Sequence, residues 1–357
     1  LNVEPGADGS RVVLGGIDNS GVMNVNTDLT LSNYYQTYTN TGDLTVAAGA
    51  VFEVNYFGQV FQQNGGTLTV DGELLVDGGN PQSRFEYNGG TIVGIPWMNG
   101  AHLSLGSGVE PATIRILGSY TTLLTDIPPG VTLLVSSPNT STSALKVPLD
   151  CTNEGTVTLT SVWGGSASLD NDAGGFVNAG TLNVEPGAGG SRYILDGFAN
   201  SGSVKVNTSL TLENSGEDYT NTGTWTVAEG VQFQVHSNSQ TFIQDAGTLD
   251  VHGEFLVKTA AFEYNGGTIG GTPRLDGGQL SLGASAGAAT IRILGNTTTL
   301  LTDIPALVGV LVSSQNATMA TLSVPPGCTN EGTVTLTSEA AAPSRLRAAG
   351  VSSAGTI

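Results

Sequence analysis

The feature that most constrains the fold is a short motif that recurs along the whole chain at intervals of about 20 to 25 residues. Its clearest copy is Tyr-Thr-Asn-Thr-Gly-Thr-Trp-Thr-Val at residues 219–227. Each copy has an apolar residue, then Asn, then Gly, and then a segment in which polar and apolar residues alternate. A fixed period of this length is typical of proteins built from stacked repeats, in which each repeat contacts only its neighbours.

The motif predicts a direction for each side chain. Thr224 and Thr226 should point outward and Trp225 and Val227 inward, because successive side chains of a strand point to opposite faces. The Gly that follows Asn supplies the turn. If successive copies stack one strand spacing apart, about 4.8 Å, their Asn amides can hydrogen-bond one another. We therefore predict an asparagine ladder along one corner, formed by Asn19, Asn40, Asn64, Asn88, Asn153, Asn178, Asn200, Asn221, Asn265 and Asn330.

The composition indicates an all-β protein. Of 357 residues 51 are Gly, and only 11% are charged. Short runs of Val, Leu, Thr and Ile bounded by Gly, Asn and Pro are frequent, whereas no segment has the apolar period of an amphipathic helix. The repeat length predicts a single-stranded right-handed parallel β-helix, or β-solenoid, of about sixteen coils. The motif is absent from residues 94–148 and 271–325, where we expect irregular coils.

A longer repeat divides the chain into two tandem modules, 1–181 and 182–357. Leu-Asn-Val-Glu-Pro-Gly-Ala opens the chain and returns at residue 182. Residues 354–357 match residues 179–182, so we expect the modules to form one continuous solenoid that is open at both ends. Two interpretations remain, namely a window of a longer tandem array or a subunit that stacks end to end on copies of itself.

A family resemblance rests on the second module. The pattern Tyr-x-Asn-x-Gly-Thr-x-x-Val-x-x-Gly-x-x-Phe-x-Val at 219–235, followed by Gln-Asp-Ala-Gly-Thr-Leu-Asp-Val-His-Gly at 244–253, resembles the β-strand repeats of bacterial adhesin-like β-solenoids. These are secreted or surface proteins in the style of autotransporter passengers and filamentous haemagglutinins. The resemblance implies an extracellular or cell-surface location and a structural or adhesive role. It brings no catalytic residue, so we expect a non-enzymatic rod or filament segment.

The charge narrows the set of partners. The net charge of −19 argues against nucleic acid and anionic membranes, because both require clustered Lys and Arg. No apolar run reaches the roughly eighteen residues of a membrane helix, so we expect no membrane insertion of this segment. We expect neighbouring modules or copies of the chain as partners, together with glycans as a further candidate, and no cofactor.

Few residues suggest reaction chemistry, and the sequence has no Gly-x-Ser-x-Gly motif or tight acidic cluster. We expect no catalytic residues. Cys151 and Cys328 precede the Asn of the motif, in an apolar position, and are predicted to be buried thiols too far apart for a disulfide. The histidines lack the spacing of metal ligands and are His102, His236 and His252.

Two charged segments allow more than one interpretation. Arg115 with Asp126 recurs as Arg292 with Asp303, which favours a structural ion pair or a turn hydrogen bond over a catalytic pair. Asp-Asn-Asp-Ala-Gly-Gly at 170–175 has the acidic and glycine-rich character of a calcium loop without the full EF-hand pattern. An ordinary polar turn is the other interpretation of this segment.

Seven aromatic residues of the first module lie outside the core pattern and align with non-aromatic residues of the second module. They can fill loop packing, or they can stack on sugar rings or anchor a partner. The second possibility gives an alternative function, carbohydrate binding or polysaccharide cleavage on a lateral face. The seven candidate ligand-binding residues are Tyr34, Tyr35, Tyr56, Phe57, Trp97, Tyr120 and Trp163.

Overall fold

The computed structural model describes residues 1–7, 11–55, 57–79, 82–137, 139–171, 175–214, 216–237, 239–315, 318–339 and 341–356. Throughout these residues the regular structure is β, and every strand pairing is parallel. The chain forms about 15 turns of a parallel β-solenoid. The predicted all-β parallel solenoid is therefore confirmed. The chain divides into two compact units, unit 1 (Leu1–Ser191) and unit 2 (Arg192–Ile357).

The strands are short, as expected from the spacing of Gly, Asn and Pro. In unit 1 they are β1 Asn2–Val3, β2 Arg11–Val13, β3 Ile17–Asn19, β4 Val22–Val25, β5 Leu29–Leu31, β6 Thr37–Asn40, β7 Asp43–Val46, β8 Val51–Val54, β9 Val60–Val70, β10 Glu73–Asp77, β11 Arg84–Gly94, β12 Trp97–Asn99, β13 His102–Leu105, β14 Ala112–Leu117, β15 Thr121–Leu123, β16 Val131–Ser137, β17 Ser143–Lys146, β18 Thr152–Asn153, β19 Thr156–Ser161, β20 Ala167–Asp170, β21 Phe176–Asn178 and β22 Thr181–Val184.

Unit 2 has the same kind of strands. They are β23 Arg192–Leu195, β24 Phe198–Asn200, β25 Ser203–Val206, β26 Leu210–Glu213, β27 Asp218–Asn221, β28 Thr224–Val227, β29 Gln232–Val235, β30 Thr241–Gln244, β31 Thr248–Val251, β32 Glu254–Lys258, β33 Ala261–Tyr264, β34 Thr268–Gly270, β35 Arg274–Asp276, β36 Gly278–Leu282, β37 Ala289–Ile293, β38 Thr297–Leu300, β39 Val308–Ser314, β40 Ala320–Val324, β41 Thr329–Asn330, β42 Thr333–Ser338, β43 Ser344–Ala348 and β44 Ser352–Ser353.

Two faces of unit 1 position its candidate site. Face 1 is the column in which β5, β8, β10, β12, β14, β16 and β19 pair in this order. Face 2 is the column of β6, the first half of β9, the first half of β11, and then β13, β15, β17 and β20. The chain passes from face 1 to face 2 once per turn, so the connecting segments lie above one another along a single corner.

The turns are irregular where the Asn motif is absent. In residues 97–123 the chain forms β12 and β13 and then β14 and β15, so these turns have two strands each rather than three. Residues 274–300 of unit 2 repeat this arrangement with β35 to β38. The irregular coils expected from the sequence are therefore present, and they keep the parallel pairing of the regular turns.

The core follows the predicted alternation. In β28, Trp225 and Val227 are fully buried, whereas Thr224 is exposed and Thr226 half-buried. Aromatic rings pack in the core both within a turn and between turns, and Trp225 of β28 stacks on Phe233 of β29 in the same turn with ring centroids 4.9 Å apart. Phe233 stacks in turn on Phe255 at 4.7 Å. The 4.7 Å separation equals the strand spacing, because Phe233 and Phe255 are paired residues of successive turns and one ring lies above the other.

Gly keeps one corner of the motif closely packed. A Cβ at Gly42 would lie 2.2 Å from the carbonyl oxygen of Gly21, and a Cβ at Gly223 would lie 2.2 Å from that of Gly202. Gly is needed there because the backbone of one turn rests on the backbone of the next. Within the described ranges there is no helix with the length and apolar character needed to span a membrane.

Candidate functional site

A ladder of buried amides runs inside the Asn corner of each unit. In unit 1, Asn19 Nδ2 donates to Asn40 Oδ1 at 2.7 Å, and Asn40 Nδ2 donates to Gln63 Oε1 at 2.9 Å. Further along, Asn153 Nδ2 donates to Asn178 Oδ1 at 2.7 Å. Amides stacked at the strand spacing donate to one another in this way across successive turns. The predicted ladder is therefore present.

Unit 2 repeats these bonds. Asn200 Nδ2 donates to Asn221 Oδ1 at 2.7 Å, and Asn221 Nδ2 donates to Gln244 Oε1 at 2.8 Å. Asn330 Nδ2 donates to Ser353 Oγ at 3.3 Å and to the carbonyl oxygen of Thr356 at 3.1 Å. Both units thus use the order Asn, Asn, Gln in three successive turns.

Asn64, Asn88 and Asn265 form hydrogen bonds between turns, as predicted, but they do not share the row of Asn40, where they were placed. Strand pairing places Gln63 opposite Asn40, so Asn64 lies one residue further along the chain and is exposed. Asn88 is also exposed and donates to Asn64 Oδ1 at 2.8 Å. In unit 2, Asn265 is partly exposed and donates to Asp245 Oδ1 at 2.7 Å. Each unit thus has a second, outer pair, which joins two amides in unit 1 and an amide to a carboxylate in unit 2.

An extra residue in the turn causes this displacement. Asn40 and Asp43 flank a turn of two residues, whereas their partners Gln63 and Thr67 flank a turn of three. The segment Asn-Gly-Gly at 64–66 therefore resembles the motif in sequence, although its Asn lies on the surface and not in the buried row. Tyr87 takes the buried position in the next turn, where its hydroxyl donates to the carbonyl oxygen of Gly90 at 2.8 Å.

The two thiols lie in the core, as predicted. Cys151 is 1% exposed and Cys328 is 8% exposed, and neither forms a disulfide. Burial raises the pKa of the Cys151 thiol to about 12, and the nearby Asp126 carboxylate adds to this shift. Burial also raises the pKa of Cys328, again with a contribution from a carboxylate, that of Asp303. Both thiols stay protonated at neutral pH and are poor nucleophiles.

The recurrent Arg and Asp residues have different hydrogen-bond partners. Asp126 Oδ1 accepts a hydrogen bond from the Thr152 amide at 2.8 Å, and Asp303 Oδ1 accepts one from the Thr329 amide at 2.6 Å. These are the expected turn hydrogen bonds. The arginines lie elsewhere, because Arg292 donates to Ser313 Oγ at 2.9 Å and pairs with Glu339.

Metal-binding candidates are not assembled in the part of the chain that the structure describes, which has no group of three His, Cys, Asp or Glu side chains placed to hold an ion. His252 Nε2 lies 3.1 Å from Asp250 Oδ2, while burial and Arg84 lower the pKa of His102. Asp170 pairs with Lys146 at 3.5 Å. Asp172, the other carboxylate of the 170–175 segment, lies outside the described residues.

The corner between face 1 and face 2 of unit 1 brings together most of the aromatic candidates. Tyr34 and Tyr35 follow β5, and Phe57 follows β8 in the next turn. The rings of Tyr34 and Phe57 stack with centroids 5.5 Å apart, and the Tyr35 amide donates to the carbonyl oxygen of Phe57 at 3.0 Å. All three residues are exposed, with Tyr35 at 69%. Tyr56 lies outside the described residues.

Two more aromatic residues lie at this corner. Tyr120 follows β14 and is 60% exposed, and Trp163 follows β19 and is 67% exposed. Lys146 Nζ lies 5.5 Å from the centroid of the Tyr120 ring. Trp97 is different, because it lies in β12 on face 1, where strand pairing places it between Leu75 and Arg115. The guanidinium of Arg115 lies over its ring at 5.5 Å.

Two of these tyrosines have unfavourable backbone conformations. The φ angle is +55° at Tyr35 and +83° at Tyr120. A left-handed conformation costs an L-residue about 1–2 kcal/mol, and bulky residues are rare there. At the position of Tyr35 the second repeat has Gly216, with φ +89°, which adopts this conformation without that cost. Unit 1 therefore exposes a tyrosine where the backbone favours glycine.

A buried glutamine that the sequence analysis missed fixes the turn before these rings. Gln59 is fully buried, and its Nε2 donates to the carbonyl oxygens of Leu31 at 3.0 Å and Asn33 at 2.9 Å. Gln240 does the same in unit 2, donating to the carbonyl oxygen of Asn214 at 2.6 Å. The signal for this role was the recurrence of Gln at matching positions of the two repeats.

Fold and side chains together define the class of the protein as a parallel β-solenoid with a buried amide ladder. No protein-family profile, no curated protein and no solved structure matches the chain.

Proposed function

We propose that the chain is a non-enzymatic structural or adhesive segment of an extracellular β-solenoid, in which tandem modules form a stiff rod or filament at a cell surface. The observation that carries this proposal is that the two repeats share the same hydrogen bonds between successive turns. The bond from Asn40 to Gln63, 2.9 Å, recurs as the bond from Asn221 to Gln244, 2.8 Å. What the two repeats preserve is the packing of one turn on the next.

The titratable groups support the same proposal. The strongest pKa shifts belong to core side chains, the Cys151 thiol and the Tyr219 phenol, whose pKa burial raises. The Tyr219 hydroxyl donates to the carbonyl oxygen of Glu213 at 2.6 Å, a bond that stabilises the turn. These shifts follow from packing rather than from an arrangement of acid and base around an open cleft.

Mechanical unfolding tests the structural role. The full chain is stretched between terminal tags, and we expect unfolding to require force and to proceed in steps of one or a few turns. The variant Asn40→Ala should lower the unfolding force, whereas Asn88→Ala, which removes the exposed amide bond, should not. A chain that extends without a force peak would contradict a mechanical role.

Location and assembly need separate measurements. Antibodies against the chain should label intact source cells as strongly as permeabilised ones, and labelling only after permeabilisation would contradict the surface location. Electron microscopy over a concentration series tests the filament version of the proposal. End-to-end particles are expected, and isolated particles at every concentration would exclude self-stacking while leaving the tandem-array version intact.

Carbohydrate binding or polysaccharide cleavage is the second candidate function. The exposed rings of Tyr34, Tyr35 and Phe57 favour it, because such rings stack on the apolar faces of sugars. Release of reducing ends from a polysaccharide would identify a cleaving enzyme. Retention of the polysaccharide without release would identify a binding protein.

A further inference from the structure

We propose that the corner between face 1 and face 2 of unit 1 is a continuous binding edge for an extended neutral polysaccharide, with Tyr35 and Tyr120 as its main contacts. The inference deepens the adhesive part of the proposed function and rests on it.

The described residues of the connecting segments at this corner are linked from turn to turn. Tyr35 and Phe57 are joined by a backbone hydrogen bond, and Gln82, one turn further, donates from Nε2 to the carbonyl oxygens of Gly100 at 2.9 Å and Tyr120 at 3.3 Å. Trp163 follows two turns after Tyr120. At about 4.8 Å per turn, the six turns from Tyr35 to Trp163 extend over about 29 Å. A ligand that contacts all these rings must be elongated.

The backbone at this edge is arranged to present the rings. Tyr35 and Tyr120 are the aromatic residues with positive φ in the described ranges, and both are among the most exposed large side chains of the chain. Gln59 and Gln82 hold the carbonyl groups of the two turns, so each ring projects from a fixed segment. Unfavourable φ angles that the surroundings enforce are concentrated at binding sites.

The chemistry of the edge selects a neutral, hydroxyl-rich ligand. Exposed aromatic faces bind apolar surfaces, and phenol hydroxyls and turn amides beside them can bond hydroxyl groups. The cation next to Tyr120 is Lys146, which already pairs with Asp170. With a net charge of −19, the chain repels polyanions. A neutral polysaccharide has apolar sugar faces for the rings, hydroxyl groups for the hydrogen bonds, and no negative charge.

Trp97 provides an internal comparison. It is partly exposed, but it lies on face 1 beneath Arg115 and so belongs to the flat lateral face rather than to the corner. At the matching position the second repeat has Arg274, in register with Arg292. Trp97→Arg therefore places an arginine beside Arg115, as Arg274 lies beside Arg292 in unit 2, and the variant should fold.

Calorimetric titration of the full chain with dextran, a soluble mannan, a soluble β-glucan and polygalacturonate tests the edge. We expect binding of at least one of the three neutral polymers. The double variant Tyr35→Gly/Tyr120→Gly should weaken that binding by about tenfold or more. Both substitutions place Gly where φ is positive, so the variant should fold with an unchanged or higher unfolding midpoint. Trp97→Arg should bind within about twofold of the parent chain.

Each other outcome overturns the inference. Failure of all three neutral polymers to bind, or tighter binding of polygalacturonate, would refute the ligand class. Unchanged binding by the folded double variant, or an equal loss in Trp97→Arg, would move the site away from the corner. The structural role is tested separately by the force and labelling measurements, so a negative result for polysaccharide binding would not contradict it.

Discussion

Asn40 and Gln63 of unit 1 share a buried amide hydrogen bond of 2.9 Å, and both side chains are no more than 1% exposed. Asn40→Ala removes this bond and leaves Gln63 Oε1 without its donor, whereas Asn19 Nδ2 loses Asn40 Oδ1 and keeps the carbonyl oxygen of Asp43 as an acceptor. Since buried polar groups are costly when unpaired, we expect a loss of about 2–3 kcal/mol in the free energy of unfolding. Urea unfolding followed by circular dichroism measures the loss.

The outer amide pair supplies the control for this prediction. Asn88 Nδ2 donates to Asn64 Oδ1 at 2.8 Å, nearly the same length, but both residues are exposed. Asn88→Ala should therefore change the free energy of unfolding by no more than about 0.5 kcal/mol. Equal losses in the two variants would mean that burial does not set the strength of the ladder.

Gly42→Ala should destabilise the solenoid by about 2 kcal/mol or more, because the added Cβ would lie 2.2 Å from the Gly21 carbonyl oxygen and the turns would have to separate. Gly21→Ala is the matched control. A Cβ there meets no described atom within 4 Å. We expect its thermal unfolding midpoint to stay close to that of the parent chain, and a comparable drop in both variants would argue against close backbone stacking at this corner.

Thr259→Gly should stabilise unit 2. Thr259 is exposed with φ +58°, a conformation that is unfavourable for a β-branched residue. The free energy of unfolding, measured in urea, should rise by up to about 1 kcal/mol. The greater flexibility of Gly in the unfolded chain offsets part of this increase. Thr226→Gly, at an outward strand position, should instead cost up to about 1 kcal/mol. A destabilised Thr259→Gly variant would show that the backbone there is not under strain.

Stability should decrease at alkaline pH. Burial raises the pKa of Cys151 to about 12, so the folded chain keeps a proton that the unfolded thiol loses near its ordinary pKa of about 9. This contribution is complete below the unfolded pKa and is lost as the pH rises from about 9 to about 12. Cys151→Ala should show a weaker dependence in unfolding measurements over this range, and an unchanged dependence would exclude the thiol as a source.

The alternating pattern of the sequence predicted most of the fold. Inward Trp225 and Val227 and outward Thr224 followed from the two-residue period of a strand, and the Asn corner followed from the repeat length. The pattern could not show which turn contains an extra residue, so Asn64 was placed where Gln63 lies. Both residues are polar and precede glycine, and only the pairing with β6 distinguishes them.

The candidate site was only partly predictable. The sequence identified the exposed aromatics by comparing the two repeats, but it could not show that Tyr35, Phe57 and Tyr120 share a corner while Trp97 lies on a face. That distinction depends on which strands stack, since Trp97 and Arg115 become neighbours only through the pairing of β12 with β14. The positive φ angles of the two tyrosines likewise arise from the fold.

The order of side chains in the buried ladder has a consequence for folding fidelity. Successive turns of nearly equal length could stack out of order at little cost in backbone bonds. In unit 1 the ladder position is occupied by Asn19, Asn40, Gln63 and then Tyr87, so the turns that carry Asn, Gln and Tyr there are not interchangeable. A misordered stack would leave buried amides unpaired, a penalty of about 1–3 kcal/mol for each group. The change from Asn to Gln to Tyr along the ladder thus favours the native order of these turns within a unit.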